Sequence, residues 1–302
     1  MGIKISAIIC THNRSAYLEK AIRSLIDQTL PKEQYEIIVV DNASTDSMRE
    51  IVERFQARYI YEPILGLSQA RNTGWQAAKG EYVAYLDDDA IAAPQWLEKI
   101  LDVFENIKPR PGCVGGRIEP MWGAERPAWL SDKMLGQLTI LDWGSDPKFL
   151  DAEQWIAGAN MAFPGKLLEE IGGFCTNLGR KGAALLSMEE NMLRMKINKK
   201  GYGCFYEPGA VVKHHILPER LTKKWFLDRA YWNGASNALM DMYFKPVSLF
   251  QALIKSFTTL VRVLLSFKEL FCFFIPADNP ARFQAKCSVY ARLGYIITLC
   301  KR

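Results

Sequence analysis

From residue 3 to about residue 107 the apolar positions switch repeatedly between two periods. Ile3–Cys10 is a short, β-branched apolar run that ends on the polar break Thr11–Arg14. Tyr17, Leu18, Ala21, Ile22, Leu25 and Ile26 then recur at helical spacing, which predicts an amphipathic helix over 15–29. The same alternation follows three more times. Strand Glu36–Val40 leads through Asp41–Ser44 to a helix ending near Ala57, with Ser44 or Thr45 as its cap. Strand Arg58–Glu62 precedes helix Leu67–Lys79, which opens after Gly66. Strand Glu81–Leu86 precedes helix 94–107, with Pro94 in its first turn. Strands separated by single helices predict right-handed βαβ units and a parallel sheet.

Sheets of this kind bind ligands outside the carboxyl ends of their strands. Here those ends carry Thr11-His12-Asn13-Arg14, Asp41-Asn42-Ala43-Ser44 and Asp87-Asp88-Asp89. One such cluster alone reads as a solvated turn; three on one rim predict a binding site. The middle of the chain is less regular, with a Pro-, Gly- and Trp-rich stretch at Pro109–Trp129 and an added strand at Cys113–Ile118. Helices are expected at Lys166–Ile171, stopped by Gly172-Gly173, and at Glu189–Lys199, stopped by Lys200-Gly201. The Gly115-Gly116 pair reads as a turn.

Composition excludes several classes. The seven cysteines include no CxxC pair, so neither a zinc ribbon nor a disulfide framework is indicated. No GxGxxG follows the first strand and no GxxxxGK[ST] occurs, which disfavours a dinucleotide-binding Rossmann enzyme and a P-loop NTPase. The first apolar run is too short for a signal peptide. Net charge is +5, but residues 245–302 hold nine Lys/Arg against two Asp/Glu, a local +7. A mildly acidic body with a basic tail does not resemble a nucleic-acid binder.

That tail is also patterned. Ser248, Gln251, Lys255, Thr258/Thr259, Arg262, Ser266 and Glu269 form a narrow polar stripe at helical spacing beside a wide apolar face. Lys255, Arg262 and Lys268 interrupt the run, so a spanning helix is not the first expectation. The expected organisation is a catalytic domain over 1–244 and a basic amphipathic helical tail over 245–302. The tail is expected to lie in the interface of a cytoplasmic membrane leaflet, with packing on the body or spanning as alternatives.

The chemistry concentrates in acidic clusters. Three consecutive aspartates after the apolar strand of YVAYLDDDA repel one another unless a cation or donor array offsets them. Hard carboxylate oxygens at a strand end suit Mg²⁺ or Mn²⁺ with substrate phosphates. Alternation along an extended chain turns Asp87 and Asp89 one way and Asp88 the other. An acidic first turn of a helix is the bland alternative.

ISAIICTHNR, EIIVVDNASTD, GLSQARNTGWQAAKGEYVAYLDDDA, IAGANMAF and EENMLRMKINKKGY occur in an order that resembles the family 2 glycosyltransferases, over roughly residues 3–235. The resemblance implies an α/β GT-A nucleotide-diphospho-sugar transferase fold with a mostly parallel central sheet flanked by helices. It further implies a nucleotide-diphosphate sugar donor, a divalent cation (Mn²⁺ or Mg²⁺) and transfer with inversion to a saccharide or lipid-linked saccharide. By the same match Thr11, Asn13, Arg14, Asp41, Ser44 and Arg71 border the nucleotide, with Asn72 beside Arg71. Asp87 and Asp88 border ribose and sugar, and Asp89 is the direct metal ligand, with Asp87 and His214 as partners. Trp155, Gly158 and Asn160 match the segment at the donor sugar and acceptor, although Trp155 also reads as a core residue.

Glu190 aligns with the usual catalytic base, where the family has Asp; Glu189 is the fallback, and an acidic helical turn the structural alternative. His214-His215 also reads as a surface pair. Arg220 and Arg229 are weaker candidates for diphosphate or acceptor contacts. The QxxRW-like motif of polymerising relatives is absent where the chain reads DRAYW, which favours single-sugar transfer. The competing function is a nucleotidyltransferase acting on sugar phosphates, which would carry a glycine-rich basic loop where this chain reads CTHNRS. A non-catalytic glycan-binding protein is a third reading, opposed by the intact acidic clusters. Localisation is expected to be cytoplasmic, peripheral to the inner face of the cell membrane.

Overall fold

A computed structural model of the chain describes residues 2–182, 184–244, 255, 256, 258 and 279–301. The first strands and helices follow the predicted alternation: β1 (Ile5–Thr11), α1 (Ser15–Ile26), β2 (Tyr35–Asp41), α2 (Met48–Arg54), β3 (Arg58–Tyr61), α3 (Leu67–Ala77) and β4 (Tyr82–Asp87). A short strand, β5 (Ala90–Ala92), precedes α4 (Trp96–Asn106). Then come β6 (Cys113–Trp122), β7 (Lys148–Phe149), β8 (Asn160–Pro164), α5 (Gly165–Ile171), α6 (Glu189–Lys199), β9 (Cys204–Ile216), α7 (Lys223–Phe244) and α8 (Pro280–Cys300).

The described strands form one sheet in the order β3-β2-β1-β4-β8-β6-β9-β5, with β7 added on β9. β3, β2, β1 and β4 are parallel, as the alternation predicts. β8 joins β4 antiparallel, and β5 joins β9 antiparallel. Parallel register pairs Thr11 with Asp41 and Cys10 with Asp87, so three polar strand ends reach one edge together.

Strand alternation explains why both faces of this sheet are covered. Ile5, Ala7 and Ile9 of β1 and Tyr82, Ala84 and Leu86 of β4 pack with Leu18 and Ile22 of α1 and Leu97 and Ile100 of α4. The intervening Ile8, Val83 and Tyr85 pack with Ala70 of α3, Leu167 and Leu168 of α5 and Leu193 of α6. Gly115-Gly116 lies inside β6 rather than in a turn, because the Ala210 carbonyl of β9 packs where a side chain at 116 would sit. Gly172, in the left-handed region at φ 72°, stops α5 as the sequence predicts.

Two compact units divide the chain. The first comprises Met1–Met121, Thr139–Thr176 and Glu189–His215; the second comprises Trp122–Leu138, Asn177–Met188 and Ile216–Arg302. The expected boundary at 244/245 therefore falls inside the second unit. The greater part of the polar stripe, at 248, 251, 259, 262, 266 and 269, lies outside the described residues. Lys255, which is described, pairs with Asp241 of α7 at 3.3 Å. Among the described residues no helix is long and apolar enough to cross a membrane.

In the second unit α7 and α8 lie side by side and run the same way, since Phe226 meets Phe283, Gly234 meets Ala291 and Asp241 meets Tyr295. Asn279 caps α8 by accepting from the Arg282 amide at 2.9 Å, and Pro280 occupies the first turn. The helices approach so closely that a Cβ at Gly294 would strike the Tyr231 carbonyl, and one at Gly234 the Ala291 carbonyl. Small residues permit such backbone contact. Replacing Gly294 by Leu should destabilise the second unit by about 1–3 kcal/mol or more, the usual cost of overpacking. Thermal unfolding checks this, and an unchanged melting curve would contradict the close seam.

Candidate functional site

The loops after β1 and β2 are laced together by side chains that the polar rim supplies. Asn13 sits in the left-handed region at φ 53°. Its amide donates to Ser44 Oγ at 3.0 Å, and its Oδ1 accepts from the Thr45 amide at 2.8 Å. Asp41, which is buried, accepts from the Ser44 amide at 3.0 Å on Oδ1 and from the Tyr59 hydroxyl at 2.7 Å on Oδ2. Tyr59 carries no motif and escapes sequence reading; its position on β3 beside β2 is what brings it to Asp41.

The three aspartates separate as the alternation predicts. Asp88 is buried and accepts from Thr11 Oγ1 at 2.7 Å and from Arg14 Nη1 at 3.0 Å. Arg14 Nη1 also reaches Asp89 Oδ2 at 2.8 Å. Burial and the neighbouring Asp89 charge push the Asp88 carboxyl up to about 6, with Arg14 opposing. Asp87 remains about one third exposed, at 32%. Asp87, Asp89 and His214 each offer a ligand atom within 4.8 Å of the others. Two carboxylates and one imidazole make a donor set that could hold a divalent cation. His214 arrives through β5, which pairs Ala90 with His214, while the His215 amide donates to the Asp89 carbonyl at 2.9 Å. His215 instead packs its ring on Tyr17 at 5.3 Å.

A second acidic group stands on the same side of the sheet through Arg71 of α3. This guanidinium is buried, yet three carboxylates share it: Glu189 at 2.9 Å, Glu190 at 3.4 Å and Asp87 at 3.7 Å. Phe174 lies under the same guanidinium, 5.5 Å from ring to carbon. Gly158 makes the approach possible, because a Cβ there would meet both Arg71 Nη2 and Glu190 Oε1. Glu189 is 4% exposed at its side chain and Glu190 18%. Burial first, then the Glu190 charge, push the Glu189 carboxyl up to about 8, while Arg71 holds it down.

The side chains of other expected residues are engaged in local contacts. Asn160 is buried and spent on the sheet: its Oδ1 accepts from Trp96 Nε1 at 2.8 Å and its Nδ2 donates to the Ala210 and Arg117 carbonyls. Asn72 is spent likewise, exchanging hydrogen bonds with the backbone of Phe174. Trp155 packs edge-on against Trp143 at 6.3 Å, half-buried, as the core reading of this residue would have it. Arg220 and Arg229 belong to the second unit, where Arg220 is buried and Arg229 donates to the Leu185 carbonyl at 2.9 Å.

Comparison with known proteins points to glycosyltransferases. Residues 6–151 match the model of glycosyl transferase family 2. A glucosyl-dolichyl phosphate glucuronosyltransferase of Haloferax volcanii is 27% identical over 254 residues, 82% of this chain and 80% of that protein. Glycosyltransferase AglE of the same organism is 35% identical over 121 residues, but this match spans only 38% of this chain and 39% of that one. A Pyrobaculum calidifontis mannosyltransferase, solved with GDP-mannose and Mn²⁺, superposes over 100% of this chain and 88% of its own with TM-score 0.62 at 19% identity, which shows the shared fold. None of these matches supports a nucleotidyltransferase. Residues 6–151 thus carry a glycosyl transferase family 2 region, and the chain is built on the GT-A fold.

Proposed function

We propose that the protein transfers one sugar, with inversion, from a nucleotide-diphosphate donor to a glycan or lipid-linked saccharide. The observation that carries this reading is Arg71, which joins the Asp87/Asp89/His214 donor set to the Glu189-Glu190 pair. In this reading Asp41, held by Tyr59 and Ser44, faces the base, and Thr11, Asn13 and Arg14 line the nucleotide. Asp89, Asp87 and His214 hold the divalent cation. Bound there, the cation neutralises charge on the diphosphate leaving group.

The acceptor hydroxyl attacks the anomeric carbon from the face opposite the diphosphate, and its proton passes to Glu190. Glu190 takes this role over Glu189 because it is the more exposed of the two, and a base must reach the proton it removes. Gly158 leaves room for Arg71 to orient Glu190. The Haloferax volcanii relative is named for glucosyl-dolichyl phosphate, which favours a lipid-linked acceptor here. The excess of basic residues after Lys245 fits an anionic, cytoplasmic leaflet at which such an acceptor is presented. A donor-hydrolysis assay tests the reaction class: nucleoside diphosphate release is expected, and pyrophosphate release would instead indicate a nucleotidyltransferase.

Glu190→Gln should preserve donor binding and lower transfer by about 10²–10⁴-fold, the usual loss on removing a general base. An active Glu190→Gln beside an inactive Glu189→Gln would move the base by one residue.

Asp89→Ala should retain the fold and lose metal-dependent nucleotide binding. Titration calorimetry with UDP or GDP and Mn²⁺ decides it, since unchanged affinity in a folded variant removes Asp89 from the metal site.

The full chain should sediment with vesicles containing phosphatidylglycerol and not with purely zwitterionic ones. Each Lys or Arg near the surface contributes about 1 kcal/mol, an attraction that salt weakens. Equal recovery with both vesicles would refute an electrostatic anchor.

A further inference from the structure

The Glu189-Glu190 pair raises a charge problem that one base does not solve. Arg71 Nη1 donates to Oε1 of both glutamates, at 2.9 and 3.4 Å, and Asp87 also leans on the same guanidinium. One positive charge thus faces three carboxylates in a largely dry place. Glu189 is the most buried of the three, and its Oε2 is buried with no hydrogen-bond donor facing it. An ionised carboxylate with a desolvated, unpaired oxygen is costly. A proton on that carboxyl removes the excess charge and turns an orphan acceptor into a donor. The neighbouring acceptor is Glu190, whose Oε1 shares Arg71 Nη1 with Glu189 Oε1.

We propose that Glu189 is a positioning residue that works as a neutral carboxylic acid, its proton hydrogen-bonded to Glu190, so that the base is one half of a carboxyl–carboxylate pair anchored on Arg71. This rests on the reading of Glu190 as the base. During transfer the acceptor O–H bond breaks and its proton goes to Glu190; the new glycosidic C–O bond forms as the bond to the diphosphate oxygen breaks. Glu189 keeps its own proton throughout and holds the Glu190 carboxylate in place. The charged groups facing Glu189 are Arg71 from α3, with Asp87 of β4 across it, and Glu190 from its own helix. Cys10 of β1 also lies near Arg71, but burial pushes its thiol up to about 12, so it stays neutral. The position of the Glu189 carboxyl, up near 8, agrees with a proton retained at neutral pH.

Two measurements test the pair. In the metal-free protein at pH 7, the infrared difference between wild type and Glu189→Gln should contain the carbonyl stretch of a protonated carboxyl, lost from wild type as pH rises through about 8. In kinetics, Glu189→Ala should lower kcat on the order of tenfold with donor KM unchanged, the worth of one hydrogen bond to a charged group. Glu189→Gln should recover most of that loss, because its amide also donates, and should abolish the alkaline fall in kcat that Glu189 ionisation causes in wild type. Absence of the infrared band, a folded but inactive Glu189→Gln, or an alkaline limb unchanged in that variant would each overturn the proposal. If the wild type transfers sugar from no donor, the functional reading fails instead, and the infrared band alone decides the state of Glu189.

Discussion

The burial of one guanidinium constrains the acidic half of this site. Arg71 is held away from water between α3 and the chain at Phe174, and a buried cation persists only where anions answer it. The answer comes from three separate stretches of sequence: the end of β4, the first turn of α6, and the bare backbone at Gly158 that lets them close. Removing Arg71 would leave two adjacent glutamates facing each other without a counter-charge. The acid pair therefore depends on a residue more than a hundred positions away in the chain.

A parallel arrangement of charges operates at the neighbouring strand end. Arg14 bridges Asp88 and Asp89, while Thr11 satisfies the second oxygen of Asp88. Both arginines lie where a βα loop or an early helical turn delivers them beside β4. The doubly wound half of the sheet thus supplies cations as well as acids to one rim, which is why its register matters. A slip of one residue in β4 would exchange Asp88 for Asp87 and Asp89.

Much of this was legible in the sequence. Alternating periods of two and 3.6 gave the βα order, and the polar ends of β1, β2 and β4 gave the rim, because these signals are local. DxD geometry was legible for the same reason: Asp87 and Asp89 converge with His214 while Asp88 turns to Thr11. The structural task of Asn160, a buried amide bridging Trp96 to two carbonyls, was not legible, because the residue type suits a sugar contact equally well. β5 was missed because three residues carry no period, and Gly115-Gly116 was misread because a glycine pair looks alike in a turn and in a close strand crossing. The placement of Tyr59 and the α7–α8 seam depends on long-range packing, which residue type alone does not encode.

The β5–β9 ladder carries a consequence for ion capture. Main-chain pairing brings Asp89 and His214 together, and their side chains already meet at 3.1 Å between Asp89 Oδ1 and His214 Nε2, whereas Asp87 is partly open to solvent. For a cation held as proposed, two of the three side chains are thus already in place, and little side-chain freedom remains to be lost on binding, at most about 1–2 kcal/mol for a single residue. A rigid pair and one adjustable arm tolerate ions of slightly different radius by moving Asp87 alone. In the proposed cation site the imidazole would set selectivity more than the size of the cage, so a softer divalent ion should out-compete a harder one even when the harder ion is the more abundant.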